Sequence, residues 1–151
     1  MPELKRGDIF ELETKKGFAY VQLVELRESD DRLDKIRVFY ELHNSRPNNF
    51  EGVFENEFFY LKFVLREAWR RKIFKKIGSL EINQLIEFPS FFRTKHIFQE
   101  GCWQIVDGNT YKRETIEVLN EEQIKLSPWG TWNDTLLIEN LENGWRLDNW
   151  I

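Results

Sequence analysis

The beginning of the chain has the hydrophobic pattern of a β-hairpin. Apolar residues at positions 9, 10 and 12 precede a charged turn that ends in Gly17, a residue that can adopt a positive φ. The segment 18–24 that follows is apolar on both faces of an extended chain. Such a strand must be covered on both faces, so the pattern predicts that it lies inside a sheet or a closed barrel.

Short apolar runs separated by turn residues continue along the rest of the chain. Turn signals stand at Asp107-Gly108-Asn109 and at Asn143-Gly144, where two strands can reverse direction. The pattern predicts further strands at 36–42, 74–82, 103–106, 111–118, 135–138 and 145–151. Many short strands joined by tight turns are typical of antiparallel β-structure.

Two stretches predict short helices. Residues 58–77 first alternate like a strand and then follow helical spacing, so we expect a strand over 58–65 and a helix near 66–72. Asn120 can cap a second helix over 121–126, which has two acids in its first turn. The chain is therefore predicted to be α+β and mainly antiparallel. We expect an SH3-like or related small barrel, or a curled sheet, in a single domain over 1–151.

Composition places the chain in a broad class. The only cysteine, Cys102, cannot form an internal disulfide, which fits a reducing compartment. The start of the chain lacks an apolar signal region, and no apolar run approaches the length of a membrane span. We therefore expect a cytoplasmic protein that does not associate with a membrane.

The residues that usually carry catalysis or bind metal are scarce. The only histidines, His43 and His96, do not stand in a metal-ligand spacing, and no paired cysteines suggest zinc. Cys102 adjoins Trp103 at the start of an apolar strand, where a buried and inert thiol is expected. The sequence therefore predicts a protein that is not an enzyme and that uses no cofactor and no metal.

Charge is distributed unevenly along the chain, whose net charge is −4. Segment 62–76 carries seven basic residues against Glu67 alone, and Trp69 and Phe74 lie among them. This pattern could combine phosphate contacts with base stacking, or it could form a solvated face neutralised by the protein's own acids. The candidates for nucleic-acid binding are Arg66, Arg70, Arg71, Lys72, Lys75 and Lys76.

The C-terminal part of the chain holds four of the six tryptophans, at 129, 132, 145 and 150. The first two lie in a predicted loop, where a large aromatic side chain can anchor a protein partner or can pack inside the protein. Acidic residues surround them in sequence, and an aromatic patch with an acidic rim would complement a basic partner. The candidate partner-binding residues are Glu121, Glu122, Trp129, Trp132 and Asp134.

Two segments near the start resemble the immunity protein 26 family: Lys5-Arg6-Gly7-Asp8-Ile9-Phe10-Glu11-Leu12 and Gly17-Phe18-Ala19-Tyr20-Val21-Gln22-Leu23-Val24. Segments 74–80, 88–93 and 101–106 are also similar to it. The members are small bacterial proteins of polymorphic toxin systems, thought to bind and neutralise a cognate toxin. The resemblance implies a scaffold without a defined site, in which Gly7, Gly17 and Gly78 serve backbone geometry.

Arg6-Gly7-Asp8-Ile9 also resembles the opening of the PemK-type endoribonuclease toxins, which have an SH3-like barrel. In those toxins a Gly-Arg-Pro motif leads into an apolar strand, whereas Ser45-Arg46-Pro47 here leads into two asparagines. An acidic balance is also unsuited to cleaving RNA. We therefore expect a non-catalytic immunity protein that occludes the active face of a cognate, basic toxin. The alternatives are a small nucleic-acid-binding module and an accessory domain of a larger assembly.

Overall fold

The computed structural model describes residues 3–28 and 31–151, and the chain forms two compact units. Unit 1 contains Met1–Phe88 and Thr131–Trp145, and unit 2 contains Pro89–Gly130 and Arg146–Ile151. Both units are built on antiparallel sheets with a few short helices, so the predicted α+β class is confirmed. The interpretation as a single domain stays a prediction.

Unit 1 is built on a five-stranded sheet in the order β4-β3-β2-β1-β5, in which every neighbouring pair is antiparallel. The strands are β1 Asp8–Thr14, β2 Gly17–Glu25, β3 Asp34–Phe39, β4 Phe58–Phe63 and β5 Phe74–Ser79. Helix α1, Leu65–Arg70, connects β4 to β5, and helix α2, Asp134–Glu142, belongs to the same unit. Because β4 and β5 form free edges of this sheet, it is open and does not close into a barrel.

The central position of β2 explains its composition. Residues 19–24 are each 0 % exposed, which confirms that this strand is covered on both faces. Around it, aromatic side chains fill the core: the rings of Phe63 and Phe74 stack with their centroids 5.1 Å apart. Phe10 meets Trp69 edge to face at 5.9 Å, which places α1 against the sheet.

The loop after β3 is held against the first hairpin by both backbone and side chains. The N–H of Phe18 donates to the carbonyl of His43 at 2.7 Å, and the N–H of His43 donates back at 2.9 Å. Arg46 donates to both carboxylate oxygens of Glu11, at 2.8 and 3.0 Å. These hydrogen bonds lower the pKa of Glu11, although its burial works in the opposite direction.

Unit 2 is built on a three-stranded antiparallel sheet in the order β6-β7-β8. The strands are β6 Phe91–Lys95, β7 Trp103–Asp107 and β8 Arg113–Ile116, and short 3-10 helices lie at Gln123–Lys125 and Leu147–Asn149. The most buried large side chain in this unit is that of Arg93, which is 0 % exposed. Its Cζ lies 4.6 and 4.5 Å from the ring centroids of Trp103 and Trp150, which also meet each other edge to face.

Several predicted elements differ from the structure. The strand predicted at 135–138 is wrong, because this segment belongs to helix α2. The strand predicted at 145–151 is also wrong, since a 3-10 helix occupies Leu147–Asn149. Strand β6 was not among the predicted strands. The predicted second helix is reduced to the 3-10 helix Gln123–Lys125. The side chain of Asn120 accepts a hydrogen bond from the N–H of Gln123. In the described part of the chain, no helix is long and apolar enough to cross a membrane.

Candidate partner-binding groove

Helix α2 forms because its sequence provides a cap and an apolar face. The side chain of Asn133 accepts a hydrogen bond from the N–H of Leu136 at 2.7 Å, which satisfies one of the free donors at the helix start. Leu137 and Leu141, four residues apart, are both buried and fix which face of the helix points inward. The opposite side of the helix is left for polar residues.

Two tryptophans hold α2 at its ends. Trp132 immediately precedes the helix cap, and Trp145 follows the helix after a short turn. Their rings meet edge to face at 4.9 Å, and both contact Phe59 of β4, at 5.4 and 4.9 Å. Since both tryptophans pack on the same core residue, they fix the position of α2 within unit 1.

The polar side of α2 and the end of β1 enclose a groove of about 520 Å³, which we call the acidic groove. Its lining consists of Glu13, Thr14, Lys15, Asp134, Thr135, Ile138, Glu139 and Glu142. This lining contains four carboxylates and one lysine, so its formal charge is −3.

One backbone contact joins the two walls of the acidic groove. The N–H of Lys15 donates to Oε2 of Glu142 at 2.6 Å, which ties the β1–β2 turn to the end of α2. The other carboxylates lie on two elements whose positions the core fixes. The groove can therefore present several acceptors at once to the lysine or arginine side chains of a partner.

The five candidate partner-binding residues are divided between the units. Asp134 lines the acidic groove, together with Glu13, Glu139 and Glu142. Trp132 is only 8 % exposed, so its position favours the packing alternative over a direct anchor. Glu121, Glu122 and Trp129 belong to unit 2, where both acids are exposed and the ring of Trp129 packs 5.4 Å from Phe92.

The sequence analysis missed Glu13 as a site residue because it lies far from the other acids in sequence. Only the position of α2 beside the end of β1 brings Glu13 to the groove. The positions of Glu139 and Glu142 were predictable in principle. Asp134, Ile138 and Glu142 follow helical spacing, whereas Leu137 and Leu141 mark the buried face.

The candidate nucleic-acid-binding residues are largely engaged with the protein's own acids. Lys76 lies 3.1 Å from the buried carboxylate of Asp8, and Arg66 lies 3.5 Å from that of Asp34. Arg70 pairs with Glu67 at 2.7 Å, and Lys75 stands opposite Glu11 in the β1–β5 register. Arg71 and Lys72 are exposed at the end of α1. These contacts favour the alternative in which segment 62–76 is a solvated face neutralised by the protein's own acidic residues.

Among the described residues, no group of three or more histidine, cysteine or acidic side chains has an arrangement that could hold a metal ion. Cys102 is a free, partly buried thiol next to β7.

No protein-family model, curated protein or solved structure matches this chain. The feature of this chain that bears most on its function is therefore the acidic groove.

Proposed function

We propose that this chain is a non-catalytic immunity protein that binds a basic protein toxin and occludes its active face. The observation that carries the proposal is the acidic groove, in which two rigidly packed elements present four carboxylates to solvent. The resemblance of the first two strands to the immunity protein 26 family supports the same function. The proposal includes a bacterial cytoplasmic location, where a toxin would have to be neutralised.

Electrostatic attraction would speed the association of such a protein with its partner and would favour basic partners. The groove carries a formal charge of −3 within a chain whose net charge is −4, so a basic partner is attracted from a distance. Carboxylates accept two parallel hydrogen bonds from arginine, which fixes the orientation of the partner once it arrives. If the toxin is a nuclease, its own substrate site is basic, and the groove acids then occupy the positions of phosphates.

A nucleic-acid-binding function has less support. Arg66, Arg70 and Lys76 each contact an acidic side chain of the same unit, so their charge is already compensated. Binding to a phosphate backbone would have to compete with these contacts. The exposed residues Arg71, Lys72 and Lys75 are the part of the segment that could contact a polyanion without breaking a side-chain ion pair among the described residues.

Capture from a lysate of the source cells tests the proposed function. We expect the immobilised chain to retain one basic protein in near-stoichiometric amount at low salt. High salt should release that protein, because screening weakens the attraction, and nuclease treatment should leave the yield unchanged. Mass spectrometry identifies the retained protein, and an inert acidic protein of similar net charge serves as the control bait. Recovery of nuclease-sensitive material alone, or no recovery at all, contradicts the proposal.

A further inference from the structure

Arg37, a buried arginine of unit 1, forms no ion pair with the described residues. The side chain of Arg37, on β3, is 5 % exposed. Its Nε and Nη2 both donate to Oε1 of Gln22, at 3.0 and 2.6 Å. The amide nitrogen of Gln22 donates in turn to the carbonyls of Gly7 and Leu80, at 3.1 and 2.8 Å. These two bonds fix the orientation of the Gln22 amide, so Oε1 can only face Arg37.

Three phenylalanine rings lie close to the guanidinium of Arg37. Its Cζ lies 5.0, 5.3 and 4.9 Å from the ring centroids of Phe39, Phe54 and Phe58. Among the described residues, its guanidinium donates to the neutral amide of Gln22, and burial lowers the pKa of Arg37. A buried cation held by neutral groups gains stability from a carboxylate that can reach it.

Arg37 lines a cavity of about 600 Å³, a size typical of sites for small molecules. The apolar part of the cavity lining consists of Phe54, Leu80 and Ile86. The lining also contains three carboxylates, those of Glu51, Glu55 and Glu81. All three glutamates are exposed, so they lie where the cavity meets solvent. The cavity thus combines one buried positive group with negative groups around its opening.

We propose that this cavity binds a free basic amino acid, with the ligand's carboxylate on Arg37 and its ammonium groups toward Glu51, Glu55 and Glu81. Guanidinium and carboxylate form two parallel hydrogen bonds, which would supply the anion that Arg37 lacks. A purely anionic ligand would be repelled by three carboxylates, and a purely cationic ligand would lack the carboxylate that pairs with Arg37. This site shares no residue with the acidic groove and goes beyond the proposed function.

Titration with L-lysine and L-arginine tests the site. The side-chain Nε–H resonance of Arg37 reports on occupancy by NMR, and calorimetry reports the affinity. We expect saturable shifts of that resonance with both amino acids. L-lysine methyl ester, which lacks the carboxylate, and L-glutamate, which is anionic, should each bind at least about tenfold more weakly. Absence of saturable binding by both basic amino acids, or equal binding of the methyl ester, overturns the proposal.

Variants separate the cavity from a general attraction to acidic surface. Arg37→Met should abolish lysine binding, and the same change at the exposed Arg113 of unit 2 is the matched control. Because the loss of Arg37 leaves Gln22 unpaired, the triple variant Glu51→Gln/Glu55→Gln/Glu81→Gln provides an independent test on exposed positions. We expect the triple variant to weaken lysine binding at least about tenfold. Unchanged binding in the triple variant overturns the proposal.

A second pair of changes distinguishes this site from the acidic groove. The variant Glu13→Lys/Glu139→Lys alters only the groove and should bind lysine as the unmodified chain does. Loss of lysine binding in that variant would assign the ligand to the groove and overturn the cavity site. Capture of a basic protein is measured separately from lysine binding. Failure of the cavity proposal and failure of the proposed function are therefore distinguishable.

Discussion

Arg93→Met is expected to lower the free energy of unfolding by about 3–5 kcal/mol, since several buried hydrogen bonds are lost together. Arg93 is fully buried and donates to the backbone carbonyls of Leu126, Leu147 and Trp150, at 3.3, 2.7 and 2.7 Å. Methionine has a similar length but no donor, so these carbonyls would lose a partner. The attraction between the guanidinium and two indole rings would be lost as well.

Urea unfolding followed by circular dichroism measures this change. The matched control is Arg113→Met on β8 of the same sheet, where the side chain is exposed and the change should stay within about 0.5 kcal/mol. Arg93→Lys should lie between the two, because a lysine ammonium keeps the charge but cannot reach three carbonyls with the fork of a guanidinium. A loss below about 1 kcal/mol for Arg93→Met would contradict the role given to Arg93.

Gly17→Ala is expected to lower the free energy of unfolding by about 2–4 kcal/mol, from backbone strain and steric overlap combined. Gly17 has a φ of +135°, and a Cβ at this position would lie 2.7 Å from the carbonyl oxygen of His43. That carbonyl accepts from the N–H of Phe18, so it cannot move away without breaking the bridge between the hairpin and the loop after β3.

Gly78→Ala is the control for this prediction, measured in the same urea titration. A Cβ at Gly78 meets no atom within 4 Å, and its φ lies outside the positive range. The resemblance to the immunity protein 26 family implied a backbone role for both glycines, but in this structure only the first of them needs glycine. Equal effects of the two substitutions would contradict this distinction.

The first part of the fold could be predicted from sequence because its determinants are local. The charged turn ending in Gly17 and the doubly apolar segment 18–24 specify β1 and β2, and both strands are observed. The change from alternating to helical spacing after residue 58 likewise predicted β4 followed by α1. In each case the residues that form the element are also the residues that reveal it.

The C-terminal part could not be predicted in the same way. Residues 135–138 are too few to distinguish a strand from a helix, and the decisive pair Leu137 and Leu141 extends beyond them. The segment 145–151 resembles a strand in composition, but its carbonyls at Leu147 and Trp150 accept from Arg93, which is more than fifty residues away in sequence. A local pattern cannot show that a distant side chain replaces a neighbouring strand.

The candidate site was predicted in part for the same reason. Asp134 and the acids of α2 were visible as a cluster in sequence, whereas Glu13 joins them only through the packing of α2 near β1. Trp132 was a candidate anchor because it lies in a predicted loop, yet its ring packs against Phe59 and Trp145. Composition alone could not distinguish a tryptophan that contacts a partner from one that positions helix α2.

Capture by charge-reversed variants tests the central claim, that the acidic groove binds a basic partner, most directly. The groove variant Glu13→Lys/Glu139→Lys is compared with Glu121→Lys/Glu122→Lys, which makes the same charge change on exposed residues of unit 2. Both are used as baits in the same lysate, beside the unmodified chain. We expect the groove variant to lose at least about tenfold in recovery of the basic protein, and the unit 2 variant to retain most of it. Full recovery by the groove variant would contradict the account.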